Sequence, residues 1–436
     1  MRTDIDPFWQ DCILILHRDV VPALGCTEPV AVALAAARCR RLLGDVPDRI
    51  TARVSANLYK NGMGVGVPGT GMIGLAIAAA IGAVAGDPDG GLEVLKPVRP
   101  EHLDDARRLA ERVEISIAET DDPVHAEVEA GCGAHTARVV VHGGHSRIVL
   151  EERDGIRLFE AAEAAAGTTD HRSLPAETSI RQLLDFAANV PIEEIAFLSE
   201  AVRLNSALSV EGESGAYGLR IGATLSEQIR RGLLADDLMT LAMRLSSAAS
   251  DARMDGAGLP AMSNSGSGNQ GISATMPVVA AARLVGADDE TLLRAVTLSH
   301  IVAIWVKSHQ NSLSALCAAS TAAMGSGAAI TWLLGGDADA VADCIRNMVG
   351  DVSGIICDGA KTGCSMKVST VAAAAVKSAF LAVAKIGIGA HEGIVAETAE
   401  ETIANLGRLG RLGMAETDRE ILRIMLAKGD EPARTV

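Results

Sequence analysis

The chain has 436 residues, 48% of them hydrophobic, and a formal net charge of −16 from 39 Lys and Arg against 55 Asp and Glu. That length and apolar content fill the cores of about two or three domains, and an acidic chain with no offsetting basic patch excludes nucleic acid and anionic membrane surfaces as partners. Aromatics are only 2%, so the cores are filled by Ala, Val, Leu, Ile and Gly, which suits closely packed helices.

The opening MRTDIDPFW is charged and has no apolar run, so no signal peptide is expected there. The eight cysteines are then expected to be free, metal-bound or catalytic rather than bridged. These features predict a cytoplasmic protein that handles small ligands.

Residues 20–43, VVPALGCTEPVAVALAAARCRRLL, predict a helix with Thr27 as cap, Glu28 and Pro29 in its first turn and an Ala-rich body. Cys26 falls at the helix N-terminus, where the dipole lowers a thiol pKa from about 8.5 toward ~3.5 to 7.5. It is a candidate base or nucleophile, or simply a small residue before a cap. Residues 49–58 alternate as a strand, a glycine-rich loop follows, and 72–84 predict a helix. Gly69, Gly71 and Gly74 spell G-x-G-x-x-G, but Pro68 and a long loop separate them from the strand, which argues against a dinucleotide site. What remains is a helix N-terminus suited to a carboxylate.

Between 113 and 152 the segments VEISIAE, VHAEVEAG, ARVVVHGG and SRIVLEE predict four antiparallel strands. His135, His142 and His145, near their turns, are expected at the surface. Past the polar stretch 167–178 the pattern is helical throughout. The expected architecture is α+β, with a mixed α/β domain containing antiparallel strands at 1–190 and an all-α catalytic domain at 191–436. In the second half, MSNSGSGNQGI places Ser263, Asn264, Ser265, Ser267, Asn269 and Gln270 just before an apolar helix, a loop suited to a small carboxylate. The uncharged run Leu313–Gly336 is expected to be a buried helix rather than a membrane span.

Cys317, Cys357 and Cys364 are separated by thirty-nine and six residues, and Gly359 and Gly363 free the backbone around the close pair. Three thiolates leave one coordination position open. An iron–sulfur cluster, a zinc ion with a bound water, and three buried core thiols all remain compatible with the spacing. Cys12, Cys39, Cys132 and Cys344 are expected to be bystanders.

GCTEP at 25–29, KNGMGVGVPGTGMIG at 60–74, MSNSGSGNQGI at 262–272, LSALC at 313–317 and CDGAKTGCSMKVST at 357–370 resemble the L-cysteine desulfidase family, which is related to the iron–sulfur L-serine dehydratases. The resemblance runs in order through most of the chain. It implies a lyase without pyridoxal phosphate, a 4Fe-4S cluster on Cys317, Cys357 and Cys364, and Cys26 as the base. The site would lie between a domain like the dehydratase β region and the helical domain. Asn61, Asn264, Ser265, Ser267, Asn269 and Lys367 are then the substrate-binding candidates, with Lys361 a further cation, and the substrate a small amino acid. A homo-oligomer is compatible with this reading. At one place the chain departs from the family: a Gly-Arg pair is usual ahead of LSALC, where this chain has Asn311 and Ser312. That directs attention to His309 and Gln310 for specificity, and keeps L-serine or another β-substituted amino or hydroxy acid as alternative substrates.

Overall fold

The computed structural model describes residues 5–161, 174–175, 177–310 and 315–428. Its first half is built on a six-stranded sheet with spatial order Val113–Ile117, Arg49–Val54, His125–Cys132, His135–His142, Ile148–Arg153, Ile156–Glu160. All neighbours are antiparallel except the first two, which run parallel. The sheet is therefore mixed, and the expectation of four consecutive antiparallel strands holds for three of them. Val113–Ile117 reaches the sheet through a helical crossover and lands on the far side of Arg49–Val54. Ile156–Glu160 was not anticipated; Asp154 and Gly155, with φ of 52° and 77°, make the tight turn that folds it back.

Alternation explains the sheet's two faces. Ile50, Ala52, Val54, Ala126, Val128, Ala130, Ala137, Val139 and Val141 point to one side and are buried, while Arg53 and Glu127 pair on the other. The buried face is covered by the helices Thr27–Leu43 and Leu75–Ala85, packed on one another. Strand Arg49–Val54 stops earlier than its alternation predicts, because Ser55 caps a short helix, Ala56–Gly62, by accepting from the Leu58 amide.

The second half is helical. Leu238–Met254, Gly268–Val285, Asp289–Ser308, Ala318–Leu333, Ala338–Val352 and Cys364–Val383 pack around one core, which also takes in Cys12, Ile13, Ile15 and Leu16 of the helix Pro7–Asp19. Small residues set the spacing. Gly212 lies against the Ala248 carbonyl and Gly325 against the Ser299 carbonyl, where a Cβ would come within 1.8 and 2.1 Å. Cys364–Val383 is long and apolar enough to cross a membrane, but 56% of its apolar window is buried inside the protein.

The two helices on the sheet touch at Gly82, where a Cβ would lie 2.3 Å from the Ala33 carbonyl oxygen. Gly82→Ala is expected to force them apart and lower stability by about 1–3 kcal/mol, measurable as a reduced denaturant midpoint with unchanged slope.

Candidate functional site

Short backbone pairings bring distant cysteines to one place. The Cys317 amide donates to the Ile355 carbonyl at 2.8 Å and the Cys357 amide to the Ala315 carbonyl at 2.7 Å, with Leu316 and Ile356 bridged between them. Cys317 is the N-cap of Ala318–Leu333, and Cys364 is the first residue of Cys364–Val383. Gly359, at φ 94°, lets the loop between Cys357 and Cys364 turn against the Lys60 carbonyl, which a Cβ would meet at 2.5 Å. A bridge from Gly64 to Lys361 fastens the same loop to the glycine-rich segment of the first half.

A second stitch places Cys26. Pro22–Ala23 pairs antiparallel with Ala261–Met262, and the Ser263 amide and hydroxyl both donate to the Val21 carbonyl, at 2.9 and 2.6 Å. The residues before Cys26 thus run beside the Ser263–Gln270 loop. Cys26 itself, not Thr27, is the N-cap of Thr27–Leu43, and Thr27 Oγ1 donates to the Gly266 carbonyl at 3.0 Å.

These segments enclose a cavity of about 110 Å³. Among the residues named from sequence, Cys26, Asn61, Ser265, Ser267, Asn269, Gln270, Cys317, Cys357 and Cys364 line it. Asn264 and Lys367 do not. Asn264 lies behind the loop, donating to His300 Nδ1 at 3.0 Å and accepting from Gln270 and Ser265. Lys367 donates to the Ile356 carbonyl and to Asp358, and Lys361 also pairs with Asp358. The helix start at Leu75 does not line this cavity. Gln310 lines a separate cavity, His309 caps the helix Asp289–Ser308, and Asn311 and Ser312 lie outside the described residues. Cys12, Cys39, Cys132 and Cys344 do not line the cavity.

Four lining residues were not foreseen: Glu28 as a site group, Arg253, Lys307 and His145. Arg253 ends the helix Leu238–Met254 and is 4% exposed. Lys307 is the one charge in the run HIVAIWVKS, a signal that a buried functional cation was available to sequence reading. His145, expected at the surface, lines this cavity and has its Nε2 shut off from solvent.

Burial dominates the electrostatics. It pushes the Cys26 thiol up to about 12, with Glu28 and Cys364 adding to the rise and Arg253 opposing it. The helix N-terminus therefore does not make a free thiolate, contrary to the expectation for an exposed cap. Burial and the neighbouring Cys357 and Cys364 raise Cys317 to about 12 as well. Burial pulls the Lys307 amine down to about 8, against the attraction of Cys357 and Cys317. Burial and the neighbouring Cys357 raise both Cys317 and Cys364, and a bound cation would deprotonate such thiol ligands. Among the described residues no three His, Cys, Asp or Glu side chains converge tightly enough for one metal ion. A single zinc needs ligands about 2.0–2.3 Å from one point. Cys317, Cys357 and Cys364 share this cavity and are the residues that would hold a thiolate-ligated metal group there.

The family model of the serine dehydratase alpha chain matches residues 89–423, and the chain belongs to that family. Within it, the chain is similar to the UPF0597 protein of Aeromonas hydrophila subsp. hydrophila, 59% identical over 423 residues that cover 96% of this chain and 97% of the relative. UPF0597 proteins of Photobacterium profundum and Yersinia enterocolitica are each 50% identical, covering 98% of this chain and 100% and 99% of their own lengths. This is the dehydratase side of the relationship that the motifs implied.

His300 holds the binding loop from behind. Its Nδ1 faces the Asn264 amide donor and its Nε2 meets Thr275 Oγ1 at 3.0 Å, so the network assigns a neutral ring protonated on Nε2. Burial lowers its pKa to about 3. The unfolded chain, with a histidine near 6.5, binds a proton that the folded state refuses, so stability is fully present above about pH 6.5 and falls as pH drops toward 3. From pH 7 to pH 5 the loss is about 2 kcal/mol. Urea unfolding at the two pH values should show that difference, and His300→Gln should flatten it.

Proposed function

We propose that the protein is a lyase carrying a 4Fe-4S cluster that eliminates the β-substituent of a small α-amino acid, L-cysteine to pyruvate, ammonia and sulfide. L-Serine, or another β-substituted amino or hydroxy acid, is the alternative substrate. The observation that carries the reading is the meeting of Cys317, Cys357 and Cys364 with Cys26 in one small cavity. Membership of the serine dehydratase alpha chain family supports β-elimination.

In this reading Cys317, Cys357 and Cys364 hold the cluster, and residues from both halves of the chain close the site over it. When bound, the cluster supplies a Lewis-acidic iron without a cysteine ligand, which makes the leaving sulfur or oxygen a better leaving group. Cys26 acts in its thiolate form, the charge that Arg253 favours against burial. Its Sγ accepts the α-proton, the C–H electron pair forms the Cα–Cβ double bond, and the bond from Cβ to the leaving group breaks with its pair going to that group. Arg253 opposes the cost of a charge on Cys26. The aminoacrylate that remains tautomerises and is hydrolysed by water to pyruvate and ammonia. Asn61, Ser265, Ser267 and Asn269 bind the substrate around this step, and Asn264 positions the loop that carries three of them. Lys367 acts through Asp358 on the loop of Cys357. A cytoplasmic location and sensitivity to oxygen go with a cluster of this kind.

Protein purified without oxygen should release pyruvate, ammonia and sulfide in equal amounts from L-cysteine, or pyruvate and ammonia from L-serine. Cys26→Ser should lower kcat by about 10²–10⁴-fold while keeping the visible absorption of the cluster. No pyruvate from either amino acid with the cluster intact would refute the lyase reading.

A further inference from the structure

The cavity contains buried polar groups that the fold leaves unanswered, and they divide by charge. The cationic member is Arg253. Its partners among the described residues are all neutral: the Gly25 carbonyl at 3.1 Å, Asn269 Oδ1 at 3.2 Å, the sulfur of Met254 at 3.2 Å, and the Cys26 thiol. Its Nε is buried with no hydrogen-bond acceptor. Gly268 makes the room for this guanidinium, since a Cβ there would lie 2.1 Å from Nε. A buried cation with only neutral partners is costly to maintain, and a guanidinium presents paired donors that match a carboxylate.

The anionic member is Glu28, 8% exposed. Its Oε1 accepts from Asn61 Nδ2 at 3.1 Å and its Oε2 from Thr27 Oγ1 at 3.2 Å; the nearby His145, whose protonated form Glu28 favours, is pushed toward its neutral form by burial. The Asn61 bond fixes that amide so that its Oδ1 is left buried and unpartnered, and Gln270, whose Nε2 donates to Asn264 at 2.7 Å, leaves its Oε1 in the same condition. Both residues line the cavity. A carboxylate and two orphaned carbonyl oxygens are three acceptors, the number of N–H donors on a primary ammonium group.

We propose that this wall reads the zwitterionic head of an α-amino acid, with Arg253 binding the α-carboxylate and Glu28, with Asn61 and Gln270, binding the α-ammonium. The inference deepens the lyase reading and rests on it for the identity of the ligand class. It assigns amino acids over hydroxy acids as substrates, because a hydroxyl in place of the ammonium would leave Glu28 without a cation and two acceptors unfilled.

The test is equilibrium binding by calorimetry with three unreactive probes: L-alanine, propionate, which lacks the ammonium, and L-alaninamide, which lacks the carboxylate. Wild-type protein should bind L-alanine at least tenfold more tightly than either of the others. Glu28→Gln should close the gap between L-alanine and propionate, and Arg253→Met the gap between L-alanine and L-alaninamide, each variant being checked for an intact thermal transition. If a variant fails to fold, the wild-type comparison decides alone. Equal binding of L-alanine and propionate, equal binding of L-alanine and L-alaninamide, or no binding of L-alanine at millimolar concentration would overturn the assignment. Because no probe has a leaving group, the result is separate from turnover. Selective binding without elimination from cysteine or serine would remove the lyase reading and leave this one standing.

Discussion

The site depends on short antiparallel contacts between segments far apart in the chain. Pro22–Ala23 on Ala261–Met262, and the Leu316–Ile356 bridge, are a few residues each, yet they fix where Cys26, Cys317 and Cys357 stand. Each lies where a helix begins or a loop turns, so long helices behind the cavity anchor contacts that could not persist alone. Lys60, buried in the first half, pairs with Asp418 of the helix Ala415–Ala427 and ties the chain's C-terminal part to the same junction.

That junction concentrates charge in a place of low dielectric. Arg253, Lys307 and Glu28 are buried beside four thiols, and taking charges out of water costs free energy that their interactions inside the protein repay only in part. Its physical sense is preorganisation: donors and acceptors are held in place before a ligand arrives, so binding costs little rearrangement. The inert surroundings serve the same end. Ala-rich helices with glycine at their closest approaches form a stiff wall, and the only described histidine bonded to the binding loop, His300, is kept neutral within it.

Much of the site was visible in sequence because its thiols are spaced in a chain that has no use for disulfides, and because amides and hydroxyls crowd into Ser263–Gln270. The helix at 27–43 and the sheet strands followed from Ala content and alternation. Other features were decided by tertiary context. Cys26 sits at a helix N-terminus as expected, but burial outweighs the dipole and reverses the direction of its pKa. Arg253 ends a helix of small residues with no local mark of function, and His145 reaches the cavity only because the sheet brings its turn there. Asn264 resembled its neighbours in the loop, and only the structure separates it as the residue that His300 holds. The parallel pairing of Val113–Ile117 is a long-range choice that alternation cannot encode.

The central claim is that Cys317, Cys357 and Cys364 hold an iron–sulfur cluster open to substrate. The most direct measurement is the visible spectrum, with iron and acid-labile sulfide content, of protein purified without oxygen, before and after L-cysteine and, separately, L-serine. The account predicts a brown protein that bleaches in air, loses its colour in Cys357→Ala, and changes its spectrum with one of the two amino acids. A preparation that stays colourless after anaerobic reconstitution with iron and sulfide would contradict it.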